Sequence, residues 1–132
     1  MAMLHTITMT HNNLVMTSAY DGEVNYDEFL KAYNERVSHP LFSQINILIV
    51  DYSDVTSINF DVAHIKAGAK LAEQASEINP NITLIALMKT QEQYGMTRMW
   101  QVYIDAIPWR SHIVKTTEER DELVTELLAE ID

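Results

Sequence analysis

Ile45-Asn-Ile-Leu-Ile-Val-Asp-Tyr52 is the stretch that decides the fold, because Ile47 to Val50 are unbroken aliphatic residues, three of them β-branched. Such a run, without polar alternation, predicts a strand that is covered on both faces. The run ends at Asp51, and the turn-prone pair Ser53-Asp54 follows. We therefore expect a central strand that delivers a carboxylate to a sheet edge, where ligands bind in open α/β folds.

Upstream of this strand, the pattern predicts a hairpin followed by a helix. Leu4 to Thr10 alternates, His11-Asn-Asn13 supplies a turn, and Leu14 to Tyr20 is the second strand, which Asp21-Gly22 closes. Asn25 and Glu28 have the spacing of an N-cap pair, so a first helix begins there and stops before Pro40.

Downstream, three further helices alternate with two short strands. Asn59 is a candidate N-cap for the second helix, and Thr90 with Gln93 and Thr116 with Glu119 are capping pairs for the third and fourth. The short strands are Ile82 to Met88 and His112 to Lys115. The apolar stripe of the third helix comprises Met96, Met99, Trp100, Tyr103, Ile104 and Ile107, and that of the fourth Leu123, Val124, Leu127, Leu128 and Ile131. The order ββαβαβαβα predicts one α/β domain over residues 1–132, with a five-stranded mixed sheet and helices packed against it.

Composition narrows the classes of function. The formal net charge of −10 repels phosphate backbones and anionic lipid surfaces, so no nucleic-acid partner is expected. The chain has no Cys, which excludes a disulfide framework and a thiol nucleophile and favours a reducing compartment. No apolar stretch approaches the ~20 residues of a membrane span. We expect a cytoplasmic protein that does not insert into membranes.

Motifs for catalysis and cofactor binding are missing from the sequence. The five His residues are scattered without ligand spacing, so no metal site is indicated. There is no Gly-x-Ser-x-Gly elbow, and three Gly residues form no phosphate-binding loop. These observations predict a protein that is not an enzyme and has no cofactor.

Two stretches resemble a known family. Leu48-Ile-Val-Asp-Tyr-Ser-Asp-Val-Thr-Ser-Ile58 is similar to the central strand and following turn of STAS domains, which occur in anti-sigma factor antagonists and, more distantly, in the lipid-binding CRAL-TRIO group. Tyr94-Gly-Met-Thr-Arg-Met99 resembles a Gly-x-x-Arg-Met signature of small bacterial STAS-like proteins. The element order agrees with this resemblance over nearly the whole chain.

The chain departs from that family where its regulation resides. Anti-sigma factor antagonists open the second helix with Asp-Ser-Ser-Gly, whose second Ser is phosphorylated, whereas this chain has Asn59-Phe60-Asp61-Val62. A carboxylate replaces the hydroxyl acceptor. The resemblance therefore implies a regulatory or protein-interaction module without the phosphorylation switch. The negative surface of this module would lie at the N-terminus of the second helix. The alternative explanation of Asp61 is that it stabilises the helix through the helix dipole alone.

Candidate residues for binding a partner or ligand lie around the sheet edge and on the third helix. Tyr94 and Arg98 fall opposite the apolar stripe, either as a solvated pair or as an anchor for a carboxylate or protein. The alternatives to an interaction module are a small-ligand or lipid-binding protein, for an anionic or apolar ligand, and an enzyme that uses the edge carboxylates. An apolar pocket lined by Asp51, Asp61 and Arg98 would favour these alternatives, whereas a closed core would favour the interaction module. The candidate binding residues are Asp51, Ser53, Asp54, Asn59, Asp61, Tyr94 and Arg98.

The second helix also suggests a homodimer. Its apolar face is roughly twice the ~100° that one sheet face requires, and Gly68 with several Ala residues would permit close approach of another helix. Cover by the first or third helix of the same chain is the competing explanation. The candidate interface residues are Phe60, His64, Ala67 and Leu71.

Overall fold

The aliphatic run lies in the middle of a five-stranded sheet, as predicted. The computed structural model describes residues 4–131. Within that range the strands, in sheet order, are β1 (Leu4–Thr10), β2 (Val15–Asn25), β3 (Ile47–Asn59), β4 (Thr83–Leu87) and β5 (Arg110–Val114). β1 is antiparallel to β2, and the other neighbours are parallel. The β1–β2 turn at His11, Asn12 and Asn13 has positive φ angles, which Asn tolerates best among non-glycine residues.

Helices cover both faces of the sheet, which explains why β3 has no polar alternation. The helices are α1 (Tyr26–Val37), α2 (Val62–Ile78), α3 (Gln91–Tyr103) and α4 (Thr117–Ala129). On one face Leu48, Val50 and Tyr52 share a core with α1, α2 and α3. On the other, Ile47 and Ile49 share a second core with α4. Alternate side chains of one strand therefore enter two cores, and every position is apolar.

Helix starts follow the predicted caps with one exception. The side chains of Asn25, Thr90 and Thr116 each accept a hydrogen bond from a backbone N–H three residues on, as expected for N-caps. The prediction that Asn59 caps α2 is wrong, because Asn59 is still in β3 and Asp61 is the N-cap. Asp61 Oδ1 accepts from His64 N at 2.9 Å, and His64 Nδ1 accepts from Asp61 N at 3.2 Å.

The predicted ends of β2 and β3 are also wrong. Instead of turning at Asp21-Gly22 and Ser53-Asp54, the two strands continue side by side to Asn25 and Asn59, with register shifts near Gly22. This two-stranded extension projects beyond the β3–β4 ladder, which ends where Asp51 pairs with Leu87. Most positions of this extension are solvent-exposed, and most of its residues are polar. Because turns have a similar composition, the sequence pattern predicted turns here.

The buried stripes of α3 and α4 are narrower than predicted. Met99, Tyr103 and Ile131 are exposed, whereas Ile104, directly after α3, and Val124 on α4 are buried. The buried positions of α3 include the polar residues Gln93 and Thr97. Gln93 Oε1 accepts from Lys89 N and its Nε2 donates to Tyr52 O, and Thr97 Oγ1 donates to Gln93 O, so apolar spacing alone misplaced the inward face. Within residues 4–131, no helix has the length and apolar character needed to cross a membrane.

Candidate functional site

A cavity lies between α2 and the sheet. Its volume is about 100 Å³, of the same order as apolar cavities that bind a benzene-sized molecule, and the larger space of about 820 Å³ includes open solvent at the mouth. His64 and Ile65 line it at the start of α2, and the residues of α2 that line it further along are small: Gly68, Ala72 and Ala75. Because these side chains do not reach the floor formed by β3 and β4, they leave the space unfilled. The floor comprises Leu48, Val50, Tyr52, Leu84, Ala86 and Met88.

Aromatic side chains surround the opening of the cavity. Phe29, Phe60, His64 and Trp100 are half-buried and line it, and Tyr26 lies next to them. The His64 ring stacks on that of Tyr26 with centroids 4.7 Å apart, and Phe29 meets Phe60 edge to face at 5.5 Å. Planar rings in these arrangements form a rigid apolar rim.

Arg36 is the one charged residue of the lining that is buried, with only 7% of its surface exposed. Its Nη1 donates to Ser18 Oγ at 3.3 Å and to the Tyr20 hydroxyl. Within residues 4–131 no carboxylate forms an ion pair with it, and its other N–H groups make no hydrogen bond to protein. Those nitrogens are not fully buried, and Arg36 is a residue of the cavity lining.

Tyr52 supplies a second polar group to the same wall. Only 3% of the residue is exposed, its ring packs edge-on against Tyr20 at 4.8 Å, and it lines the cavity. In the described part of the chain its hydroxyl has no hydrogen-bond partner. Burial, and secondarily Tyr20, raises the pKa of Tyr52 well above its usual value, against the opposing effect of Arg36. The phenol therefore remains protonated and able to donate.

Behind Arg36, a hydrogen-bonded chain leads away from the cavity. Ser18 Oγ, which accepts from Arg36, lies 2.6 Å from His5 Nε2. His5 Nδ1 is 3.4 Å from Glu35 Oε2 but is not aligned for a hydrogen bond. Burial and the Arg36 charge lower the pKa of His5, and Glu35 partly offsets this. Glu35 thus interacts with His5, and Arg36 has no carboxylate beside it.

The predicted site residues do not form one site. On β3, half-buried Asp51 accepts a hydrogen bond from Ser53 N at 2.8 Å, and Asp54 and Asn59 are exposed. Among the described residues, no hydrogen bond, ion pair or ring contact joins Asp51, Asp61 and Arg98. None of the seven candidates lines the apolar cavity. Asn59 instead borders a shallow polar groove with Glu23, Glu28 and Ser57.

Tyr94 and Arg98 are on the exposed face of α3, as predicted, but their contacts lie elsewhere. The Lys115 ammonium is 5.5 Å from the centre of the Tyr94 ring, and Arg98 Nη1 donates to Gln101 Oε1 at 3.2 Å. These contacts are weak and solvent-exposed. They neither assemble an anion site nor connect to the cavity.

The wide apolar face of α2 is covered from both sides by its own chain. A Cβ at Gly68 would lie 3.8 Å from Trp100 Cδ1 of α3 and 3.9 Å from Phe29 Cε2 of α1. Leu71 is half-buried against the core, and Phe60 and His64 belong to the aromatic rim. Ala67 is half-buried as well. Cover by the first and third helices of the same chain therefore accounts for the width of the apolar face of α2. A homodimer stays a prediction.

The cavity lining is mainly apolar and includes one cationic side chain, that of Arg36. Within residues 4–131, no group of three or more His, Asp or Glu side chains could hold a metal ion.

Sequence reasoning missed Arg36 although a signal was present. Arg36 follows Phe29 and Tyr33 at helical spacing, so a charged residue occupies the apolar stripe of α1. A charge at such a position is rarely buried without a partner.

Comparisons with known proteins agree on the fold. No family model and no curated protein matches the chain. Among solved structures, an uncharacterised protein of the DUF3478 family with a SpoIIAA-like fold from Shewanella loihica PV-4 is similar over 92% of both chains, with a TM-score of 0.57 and 9% identity. The anti-sigma factor antagonist SpoIIAA in its unphosphorylated form is similar over 93% of this chain and 98% of that one, with a TM-score of 0.59 and 10% identity. The chain therefore has a SpoIIAA-like fold.

Proposed function

We propose that this STAS-like module is non-catalytic and binds a small, predominantly apolar molecule in the cavity beneath α2. The cavity itself carries the proposal, because a well-packed core leaves few voids larger than a water molecule. A cavity of about 100 Å³ that is lined mainly by aliphatic and aromatic side chains supports an apolar binding site.

The shape of α2 supports the same conclusion. Gly68, Ala72 and Ala75 line the cavity with small residues, and Trp100 of α3 and Phe29 of α1 flank the helix at Gly68. The lining that the structure describes contains no Asp or Glu, so it supplies no carboxylate for acid–base chemistry. Binding, rather than turnover, is the activity that these residues support.

Tryptophan fluorescence provides the test, since both tryptophans of the chain, Trp100 and Trp109, line the cavity. Decanol, a neutral chain, is the probe. Wild type should show a saturable change in emission. Ala72→Leu, which adds three carbons at a buried lining position, should weaken binding by at least about tenfold, since each buried methylene is worth roughly 0.8 kcal/mol.

Ala63→Leu is the matched control, because Ala63 is an exposed residue of the same helix. Its affinity for decanol should equal that of wild type, and circular dichroism should show that both variants fold. Absence of a saturable change in wild type, or equal affinities for wild type and Ala72→Leu, would contradict binding in the cavity.

Protein interaction is the second candidate function, supported by the likeness to an anti-sigma factor antagonist and by the exposed start of α2. Asp61→Asn removes the charge while retaining an equally good N-cap. If Asp61 belongs to a contact surface, an affinity-captured partner should bind this variant more weakly than wild type. Equal binding would contradict that surface.

A further inference from the structure

We propose that Arg36 and Tyr52 hold the carboxylate of an amphipathic monoanion whose apolar chain or ring occupies the cavity beneath α2. This inference rests on the proposed function and specifies its ligand. Arg36 is the feature of this cavity lining that the packing of the protein does not account for.

A buried guanidinium without a counter-charge is costly. Removing a cation from water costs several kcal/mol, which is offset in proteins by an opposite charge and by hydrogen bonds to its remaining donors. Arg36 has hydroxyl partners for Nη1 alone, and Glu35, its sequence neighbour, lies beside His5 instead. An anion entering the cavity would provide the missing charge.

The donors are arranged for such a ligand. Tyr20 connects the two residues, because its hydroxyl accepts from Arg36 while its ring packs on Tyr52. Arg36 and Tyr52 thus both contact Tyr20, and both line the cavity. Together they present a planar cation and a neutral donor, which match the two oxygens of a carboxylate.

Charge and lining identify the class of ligand. Within the described lining Arg36 is the sole Lys or Arg, so one negative charge is balanced and a second would remain buried without a partner. The rest of the wall is mainly aliphatic and aromatic, which suits a hydrocarbon chain or an aromatic ring. The net charge of −10 further disfavours entry of multiply charged anions.

The experiment compares decanoate with decanol near neutral pH, where free decanoic acid is ionised, with tryptophan fluorescence as the readout. Arg36→Met should weaken decanoate binding by about 10- to 100-fold, as expected for loss of charge-assisted hydrogen bonds, and should change decanol binding by less than about threefold. Arg98→Met is the control, because it removes the same charge from an exposed position of α3. It should leave both affinities unchanged.

Two further measurements keep the inference testable if Arg36→Met does not fold. Tyr52→Phe, which removes only a hydroxyl, should weaken decanoate binding by about threefold to tenfold and leave decanol unaffected. In wild type, ¹³C NMR of carboxyl-labelled decanoate should show a carboxyl pKa lower when bound than when free, because Arg36 stabilises the ionised form.

The outcomes separate the two proposals. If wild type binds both probes but the Arg36 and Tyr52 variants do not alter the preference for decanoate, or if the bound carboxyl has a raised pKa, the anion site is refuted and the apolar cavity site stands. If wild type binds neither probe, both proposals are refuted.

Discussion

Replacing Arg36 by Met should leave the ligand-free protein as stable as wild type or make it more stable. The change removes two hydrogen bonds from Nη1 and two cation–π contacts, to Phe29 and Tyr33 at 5.9 Å each. Each of these contributes about 0.5 to 1.5 kcal/mol. Against this, Met needs no counter-charge and fills a similar volume, and the desolvation of the guanidinium, several kcal/mol, is relieved.

We therefore expect the free energy of unfolding to change by between about 0 and +2 kcal/mol. Ser18 retains His5 as a partner, so its hydroxyl is not left isolated. Urea denaturation followed by circular dichroism measures the difference, with Arg98→Met as an exposed control expected within about 0.5 kcal/mol of wild type. Phe42→Ala, at a position only 1% exposed, should lose about 3 to 5 kcal/mol and shows the sensitivity of the assay.

A loss of more than about 2 kcal/mol in Arg36→Met would refute the reasoning, because it would mean that Arg36 stabilises the empty fold. Its burial would then need no ligand to explain it. A neutral or stabilising result combined with lost decanoate affinity would identify Arg36 as a residue retained for binding at a cost to stability.

Three other predictions concern single residues outside the cavity. Asn79→Ala should cost about 2 to 4 kcal/mol in urea denaturation, because the buried amide donates to Phe42 O and Ile45 O at 2.8 and 2.9 Å and accepts from Asn81 N; a loss under about 1 kcal/mol would contradict this. Asp61→Ala should cost about 1 kcal/mol through loss of the N-cap while Asp61→Asn should not, and equal stabilities would contradict the capping role. Since the pKa of His5 is lowered below 6.5 in the fold, the unfolded chain takes up its proton first as pH falls, and stability should decline below about pH 6.5. His5→Gln should lack this component when unfolding is measured from about pH 7 to pH 5, and parallel profiles for the two proteins would contradict it.

The sheet could be predicted from the sequence because its strongest signal is local and physical. An unbroken aliphatic run must be covered on both faces, and the succession of capped helices and short strands then leaves few topologies with right-handed crossovers. The extension of β2 and β3 to Asn25 and Asn59 could not be predicted in the same way. Its stability comes from pairing between strands distant in sequence, while its exposed residues have the composition of a turn.

The cavity could not be predicted from the sequence for a related reason, and binding at the sheet-edge candidates stays a prediction. Polar residues at the end of a predicted strand can be identified in a sequence. A cavity exists only when small side chains on one element face a second element that they do not reach. Gly68 and Ala72 were interpreted as permitting close approach of a helix, but α1 and α3 hold α2 in place and the same small residues leave space instead. Arg36 was detectable as a charge on an apolar stripe, yet its missing counter-ion is a three-dimensional property.

Occupancy of the cavity is tested most directly by isotope-filtered nuclear Overhauser measurements between unlabelled decanoate and methyl-labelled protein. Intermolecular effects should appear at the methyl groups of Ala72, Ala86 and Met88, which line the cavity. Leu4, Val62 and Val102, which are 66%, 49% and 72% exposed, serve as the surface reference and should show none. Contacts confined to those exposed methyl groups, or none at saturating decanoate, would contradict the account.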